Sequence, residues 1–395
     1  MNIQLPGFKI TVPNYYRMWH PQKVQFVVKL TKLCNLRCKY CYEYPYLGDT
    51  AKMELPEIEK MLHNIAQGLM DHDVRECEFI LHGGEPLLLP ADYYRAVYAK
   101  QKEILGKAGI GFYNVIQTNL TNLKEEHIQL IKDEIISSVG VSIDLFGDER
   151  VNIAGKNMDD KTLQNMEWLF NEGIGFGAIS VLSKKTAPHI KKMFSFFSMS
   201  NISWRILPID LVGFDGQHDN NVLSADELCT VFKTLFEEWL LSPTAIKLEP
   251  LNEYIDAAIA SLSNNTGTHR FNKEKEDSLF VVNTNGDVYS EADAYNANFS
   301  YGNIFTDPFD DLLSSSARKR AIARANLITS STCDHCDHYG HCNGFRMAES
   351  TTEKLYWHKD GNITCAVIRP MIDYIKGRLQ EEKVMELYAS AASLD

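Results

Sequence analysis

The chain has 395 residues, 45% of them hydrophobic and 23% charged, with a formal charge of −12. That balance is ordinary for a globular protein able to bury a core without disulfides, and its acidic excess argues against nonspecific nucleic-acid binding, which depends on basic patches. No run of eighteen apolar residues occurs and no basic stretch precedes an apolar one at the N-terminus, so no membrane span or secretory signal is expected, and a reducing cytoplasm is the expected setting.

Residues 1–23 carry Pro6, Pro13 and Pro21 among several aromatics and read as a lead-in. Residues 25–30 form a short apolar run that suits a buried strand. Helical periodicity follows over 55–71, and 78–82 is a second strand that ends at Gly83-Gly84. The alternation then continues with helices near 91–107, 123–133, 160–172 and 187–198. The strands between them fall at 112–117, 138–144, 177–182 and 202–207. Strands separated by helix-length segments predict βαβ units and a parallel sheet. Six units before residue 215 are too few for a closed eight-fold barrel.

Residues 212–222 are polar and turn-rich, as a loop or boundary would be. A helix at 224–241 opens on Ser224-Ala-Asp-Glu227, a capping-box pattern, and another follows at 251–262. Residues 280–289 predict a hairpin turning at Asn285-Gly286. The remainder is loop-rich and closes with a helix near 367–387. The domain reading is a lead-in over 1–23, an α/β unit of alternating strands and helices over 24–222 and a helical bridge over 223–270. A loop-rich α+β extension follows over 271–375, with a terminal helix and tail over 376–395.

Seven of the nine cysteines fall in two sets, while Cys77 and Cys229 stand apart as expected buried thiols. Clustered cysteines in a chain without a signal peptide read as metal ligands. Cys34, Cys38 and Cys41 have the spacing C-x3-C-x2-C. Three soft thiolates on one short loop can hold three corners of an iron–sulfur cube and leave the fourth iron open. A zinc site usually needs a fourth close ligand. Cys333, Cys336 and Cys342, in C-x2-C-x5-C spacing, with Cys365 beyond, could fully ligate a cube or a structural zinc. His335, His338 and His341 add possible nitrogen ligands, and ligand chemistry leaves both readings open.

The first cysteine string, with Tyr40 just before its last member, resembles the radical S-adenosylmethionine (SAM) enzymes. The resemblance covers roughly residues 25–370. It implies an open partial (β/α)6 TIM-like barrel and a [4Fe–4S] cluster whose vacant iron is chelated by SAM. Reductive cleavage of SAM then gives a 5′-deoxyadenosyl radical that takes hydrogen from substrate. Gly83-Gly84-Glu85-Pro86 matches the family's motif for the SAM amino group. Asn119 and the pair Ser142 and Asp144 match positions that meet the SAM carboxylate region and ribose. Arg150 lies where the family often carries a SAM-facing arginine.

The C-terminal part resembles the SPASM or "twitch" extension of peptide-modifying members, which tips the second cysteine set toward iron–sulfur. Arg346 stands where the last cysteine of the SPASM run would be, and Glu291 stands at the cysteine position of the upstream element. No cysteine lies between 230 and 332. One auxiliary [4Fe–4S] cluster on Cys333, Cys336, Cys342 and Cys365 is therefore expected. Glu291 and Asp293 are candidate substrate-facing acids.

Leu145 follows Asp144 where sulfatase-maturing relatives usually carry glycine. That string, residues 42–49 and residues 177–182 look more like maturases of ribosomally made peptides, and among them like those that form cyclophane crosslinks. The resemblance implies a precursor peptide as substrate and flavodoxin or ferredoxin as electron donor. Formylglycine formation, thioether formation and epimerisation are the alternatives within the family. A non-catalytic iron–sulfur or zinc redox protein is the alternative outside it.

Overall fold

The computed structural model describes the strand backbones 3–5 and 8–10 and residues 19–209, 221–244, 246–263, 269–290, 296–350, 355–357, 359 and 361–381. Strands β1 (Ile3–Leu5) and β2 (Phe8–Ile10) pair as a small antiparallel ribbon. The βαβ series then runs β3 (Val24–Thr31), α1 (Leu55–Asp71), β4 (Glu76–Gly83), α2 (Ala91–Lys107), β5 (Gly111–Thr118), α3 (Glu125–Lys132), β6 (Ser138–Ser142), α4 (Asp159–Asn171), β7 (Phe176–Leu182), α5 (Ile190–Met199) and β8 (Trp204–Pro208). These are the six units expected from the alternation, and β3 to β8 pair in parallel in chain order. The sheet is α/β and does not close on itself.

Helix α6 (Ala225–Leu240) starts on the expected capping box, with Ser224 Oγ accepting from the Glu227 amide. A two-residue strand, β9 (Leu248–Glu249), extends the sheet beyond β8, and α7 (Leu251–Leu262) and α8 (Lys273–Glu276) follow. The predicted hairpin forms as β10 (Leu279–Val282) and β11 (Asp287–Tyr289), turning at Gly286 with φ +89°. It does more than hairpin. β10 also pairs in parallel with β3, and β11 is followed by β12 (Gly302–Asn303), so one ten-stranded sheet runs from the barrel into the C-terminal third.

Aromatic rings explain that junction. Phe280, Phe26 and Phe79 lie in one register row across β10, β3 and β4, with ring centroids 5.8 and 5.7 Å apart. Phe309, at the start of α9 (Phe309–Ser314), packs on Phe280 at 5.8 Å and lies against Gly68 of α1, where a Cβ would approach it to 2.3 Å. Rings in such contact add attraction beyond their buried area.

The rest is α10 (Ser316–Ile328), a π-helical turn at Thr329–Cys333, α11 (Phe345–Ala348), the ribbon β13 (Tyr356–Trp357) with β14 (Ile363–Thr364), and α12 (Ile368–Leu379). The sequence pattern placed the last helix near 367–387; it ends at Leu379, and residues 382–395 are outside the described part. Among the described residues no helix is long and apolar enough to cross a membrane.

The two faces of the parallel strands differ. Phe26, Phe79, Ile116, Val141, Ala178 and Ile206 are buried against helices. On the opposite face Val27, His82, Gln117, Ser142, Val181 and Leu207 are only partly covered. The strands therefore wrap a hollow that opens at their C-terminal ends, where α/β folds place their sites.

Candidate active site

The cysteine loop leaves the end of β3 and is held at both ends. The Lys32 amide donates to Ala51 O at 3.1 Å, Cys34 N to Leu47 O at 3.1 Å, and Met53 N to Leu30 O at 2.8 Å. Arg37 Nη1 straps it from within, donating to Cys34 O at 2.8 Å and Leu36 O at 2.7 Å. A second segment zips onto it: Arg37 N donates to Val151 O at 2.6 Å and Lys39 N to Glu149 O at 3.0 Å. Cys34 and Cys38 are buried and Cys41 is partly exposed. Burial pushes the Cys34 thiol up to about 12, with the Glu85 carboxylate adding to the rise, and burial also raises Cys38 and Cys41. Thiols in this setting ionise only when a cation compensates them, which a bound metal cluster supplies.

The glycine turn is packed against that loop. The Gly84 amide donates to Thr31 O at 2.8 Å and the Glu85 amide to Leu33 O at 2.9 Å. A Cβ on Gly83 would lie 2.1 Å from Thr31 O, and one on Gly84 would lie 2.3 Å from both Lys32 O and Leu33 O. Gly83 also has φ +127°. In this structure the glycines thus make room for protein backbone, where paired glycines alone had suggested close approach to a ligand. Pro86 is buried, and its carbonyl accepts from Tyr94 Oη at 2.6 Å.

The Glu85 side chain is fully buried and ties β4 to β5. Oε1 accepts from Leu87 N at 2.9 Å and Thr118 Oγ1 at 2.6 Å, and Oε2 accepts from Asn119 N at 2.8 Å. Burial raises its pKa and these donors counter the rise. A carboxylate offers about four acceptor positions, so one remains for an outside donor. Asn119 spans the same gap, with Nδ2 donating to Asn35 Oδ1 at 3.0 Å and approaching Cys34 Sγ at 3.9 Å.

Beyond β6, Asp144 is fully buried. Oδ1 accepts from Val181 N at 2.5 Å, and Oδ2 accepts from the Tyr40 hydroxyl and from Arg150 Nη1, the latter at 3.3 Å. Arg150 Nη1 also donates to Tyr40 Oη at 2.6 Å, while its Nε is buried without a partner. Arg150 is held above its ordinary pKa by the surrounding Cys38, Tyr40 and Asp144 despite the opposing effect of burial. An orphaned buried guanidinium donor beside a cysteine loop suits an arriving anion. Ser142 Oγ faces the hollow and accepts from Gln117 Nε2 at 2.7 Å; Gly140 leaves the space that Gln117 fills. Cys34, Glu85 and Asn119 thus form one linked group at the mouth, and Tyr40, Asp144 and Arg150, beside Cys38, form a second.

The second cysteine set lies in the C-terminal third. The π-helical turn at the end of α10 delivers Cys333, and Cys336 N donates back to Cys333 O at 2.8 Å. Gly344, at φ +78°, passes close to Cys333 Sγ. Cys365 sits just before α12, where the Ile368 and Arg369 amides partly offset the burial that lifts its thiol to about 11. Burial, joined by the charges of Cys365, Cys342 and Cys336, raises Cys333 to about 12. His338 Nε2 is engaged with Asp373 of α12 at 2.7 Å. Arg346, at the expected cysteine position, forks onto Glu253 of α7 with two 2.5 Å contacts. Four soft sulfurs in one place and three in the other suit iron–sulfur clusters. Cys77 and Cys229 are buried; the Cys229 thiol donates to Ala366 O, the carbonyl next after Cys365, at 3.5 Å, and Glu291 and Asp293 lie outside the described residues.

A pair the sequence reading passed over lies beside the first loop. Lys29 Nζ and Glu43 Oε1 are 2.9 Å apart and both side chains are buried. The one sequence signal was a lysine interrupting the apolar run at 25–30.

Residues 28–197 match the sequence model of the Radical SAM superfamily, and residues 274–337 match that of SPASM, an iron–sulfur cluster-binding domain. A cysteine-type anaerobic sulfatase-maturating enzyme of Clostridium novyi is 24% identical over 317 residues, or 78% of this chain and 83% of that one. A serine-type anaerobic sulfatase-maturating enzyme of Bacteroides thetaiotaomicron is 25% identical over 381 residues, or 89% and 90%. Native anSMEcpe with bound AdoMet superposes with a TM-score of 0.69 at 19% identity, covering 94% of this chain and all of that one. Streptococcus suis SuiB bound to S-adenosylmethionine gives 0.55 at 14% identity, covering 82% and 72%. These two structures share the fold. SAM and a [4Fe–4S] cluster are the cofactors of the first domain, and the second carries auxiliary iron–sulfur. The chain is a radical SAM enzyme with a SPASM extension.

Proposed function

We propose that the protein oxidises a side chain of a ribosomally made peptide or protein, removing two hydrogens. The observation that carries this reading is the convergence of Cys34, Cys38, Cys41, the Gly83–Pro86 turn and Arg150 on the mouth of the open barrel. When bound, the cluster and SAM supply the radical that takes the first hydrogen. The chain's own groups bind and orient. Cys34, Cys38 and Cys41 hold three irons, the remaining acceptor position of Glu85 takes the SAM ammonium, and Arg150, aligned by Tyr40 and Asp144, takes its carboxylate. Ser142 and Gln117 line the hollow below. Cys333, Cys336, Cys342 and Cys365 would hold a single auxiliary cluster, which would supply a one-electron acceptor for the surplus electron, and a flavodoxin or ferredoxin would supply electrons to the first.

The relatives' names favour oxidation of a cysteine or serine to formylglycine. A cyclophane crosslink is the second reading, favoured by Leu145 after Asp144 and by the missing first set of auxiliary cysteines. The test is anaerobic reconstitution, then dithionite and SAM with a candidate precursor peptide. Release of 5′-deoxyadenosine supports the reading, together with a product two hydrogens lighter or, from a cysteine, an aldehyde in which water oxygen has replaced the sulfur with release of hydrogen sulfide. An aldehyde that reacts with hydrazide marks formylglycine from either residue, hydrogen sulfide release marks the cysteine substrate, and an unreactive crosslinked fragment marks the cyclophane. No 5′-deoxyadenosine from iron-replete protein would overturn it.

A further inference from the structure

We propose that the buried pair Lys29–Glu43 sets the reduction potential of the cluster held by Cys34, Cys38 and Cys41. The proposal rests on the reading above, since it requires that cluster. Lys29 is five residues ahead of Cys34 on β3, and Glu43 is two residues past Cys41, so the pair bridges the two ends of the cysteine loop. The contact is 2.9 Å, with side-chain exposures of 2% and 4%. Burying two charges costs about as much as their attraction returns, so stability alone gives little reason to keep them.

The surroundings place both charges against the loop. The Glu43 amide donates to the Cys41 thiol, and the Glu43 carboxylate acts on that thiol through space. Burial lowers the Lys29 pKa, and Glu43 and Cys41 pull it back. His82 is the register partner of Lys29 on β4, and burial lowers its pKa. The Tyr42 ring lies 5.1 Å from Lys29 Nζ, and Thr284 Oγ1 of the β10–β11 hairpin donates to Lys29 O at 2.8 Å.

One-electron reduction adds a negative charge to the cluster. A nearby cation stabilises the reduced form and a nearby anion destabilises it, and burial leaves both effects unscreened by solvent. The two residues therefore act in opposite directions.

The experiment is an EPR-monitored redox titration of the reconstituted full chain, following the reduced signal that changes on adding SAM. K29M is expected to move its midpoint negative and E43Q to move it positive. The charge swap K29E/E43K keeps an ion pair but puts the cation beside Cys41, and its midpoint is expected to move positive. Midpoints that all stay at the wild-type value, or single variants that shift in the same direction, would overturn the proposal. If the single variants fail to load iron, the swapped pair decides: a wild-type midpoint there makes the pair purely structural. Wild-type protein with no SAM-responsive signal would overturn the functional reading itself, a distinct result.

Discussion

The hydroxyl of Tyr40, in the cysteine loop, donates to the carboxylate of Asp144, at the end of the fourth barrel strand β6. Every partner of that carboxylate is a donor: Tyr40, Arg150 and the Val181 amide. Asp144→Asn sets an amide donor against one of them and loosens Arg150. A charged hydrogen bond is worth about 1.5–3 kcal/mol, and 1.4 kcal/mol is about tenfold in affinity. Asp144→Asn is expected to weaken SAM binding by about tenfold or more. Tyr40→Phe, which leaves the Arg150–Asp144 pair, should cost less. Anaerobic equilibrium dialysis measures both, and unchanged affinity in Asp144→Asn would contradict the assignment.

Two glycines should respond to alanine with opposite signs. At Gly84 the new methyl would meet rigid backbone oxygens at 2.3 Å, and such overpacking costs about 1–3 kcal/mol. At Gly106, inside α2, nothing lies within 4 Å of the added carbon, and alanine gains about 0.5–1 kcal/mol of helix propensity. Urea unfolding reads both. Gly84→Ala should also lose iron at the first cysteine set.

Asp159 gives stability a pH slope. Burial raises its pKa from 3.8 to about 6, with Asn157 opposing. The folded state then holds this proton more tightly than the unfolded chain does. The contribution is full below the unfolded value and is lost as pH rises through about 6. Between pH 5 and about 7 the urea midpoint of wild type should fall with pH relative to Asp159→Asn. Parallel curves would show that Asp159 is not the titrating group.

Arg346 tests whether the extension needs a fifth ligand. Its fork to Glu253 is partly exposed, and such surface pairs contribute about 0–1 kcal/mol. Arg346→Ala should leave iron content unchanged and cost no more than that. Cys342→Ala should remove about half of the iron, since four sulfurs are needed to close the second cube. Iron and sulfide assays decide between these outcomes.

What could be read in advance follows a physical line. The bounds of α1, α2 and α7 were legible because periodic apolar residues and clear end signals coincide there. Both cysteine sets stood out because their short, regular spacings lie in the sequence itself. The pairing of β10 with β3 was not, since it joins residues some 250 positions apart and only the row Phe280, Phe26 and Phe79 shows why. The role of Gly83 and Gly84 was half legible: the turn was expected, the backbone it accommodates was not. Lys29 and Glu43 could not be paired in advance, because a lysine in an apolar run acquires meaning only once its neighbour is known.

The parallel seam between β3 and β10 has a practical corollary. The strand that launches the first cysteine loop has its other flank occupied by the C-terminal third. Cutting the chain before residue 279 would bare a long row of amides and carbonyls next to Phe26, the kind of edge through which proteins stick to one another. The N-terminal two-thirds should therefore precipitate when expressed alone, and the two cysteine sets are spaced by a shared sheet instead of a swinging tether.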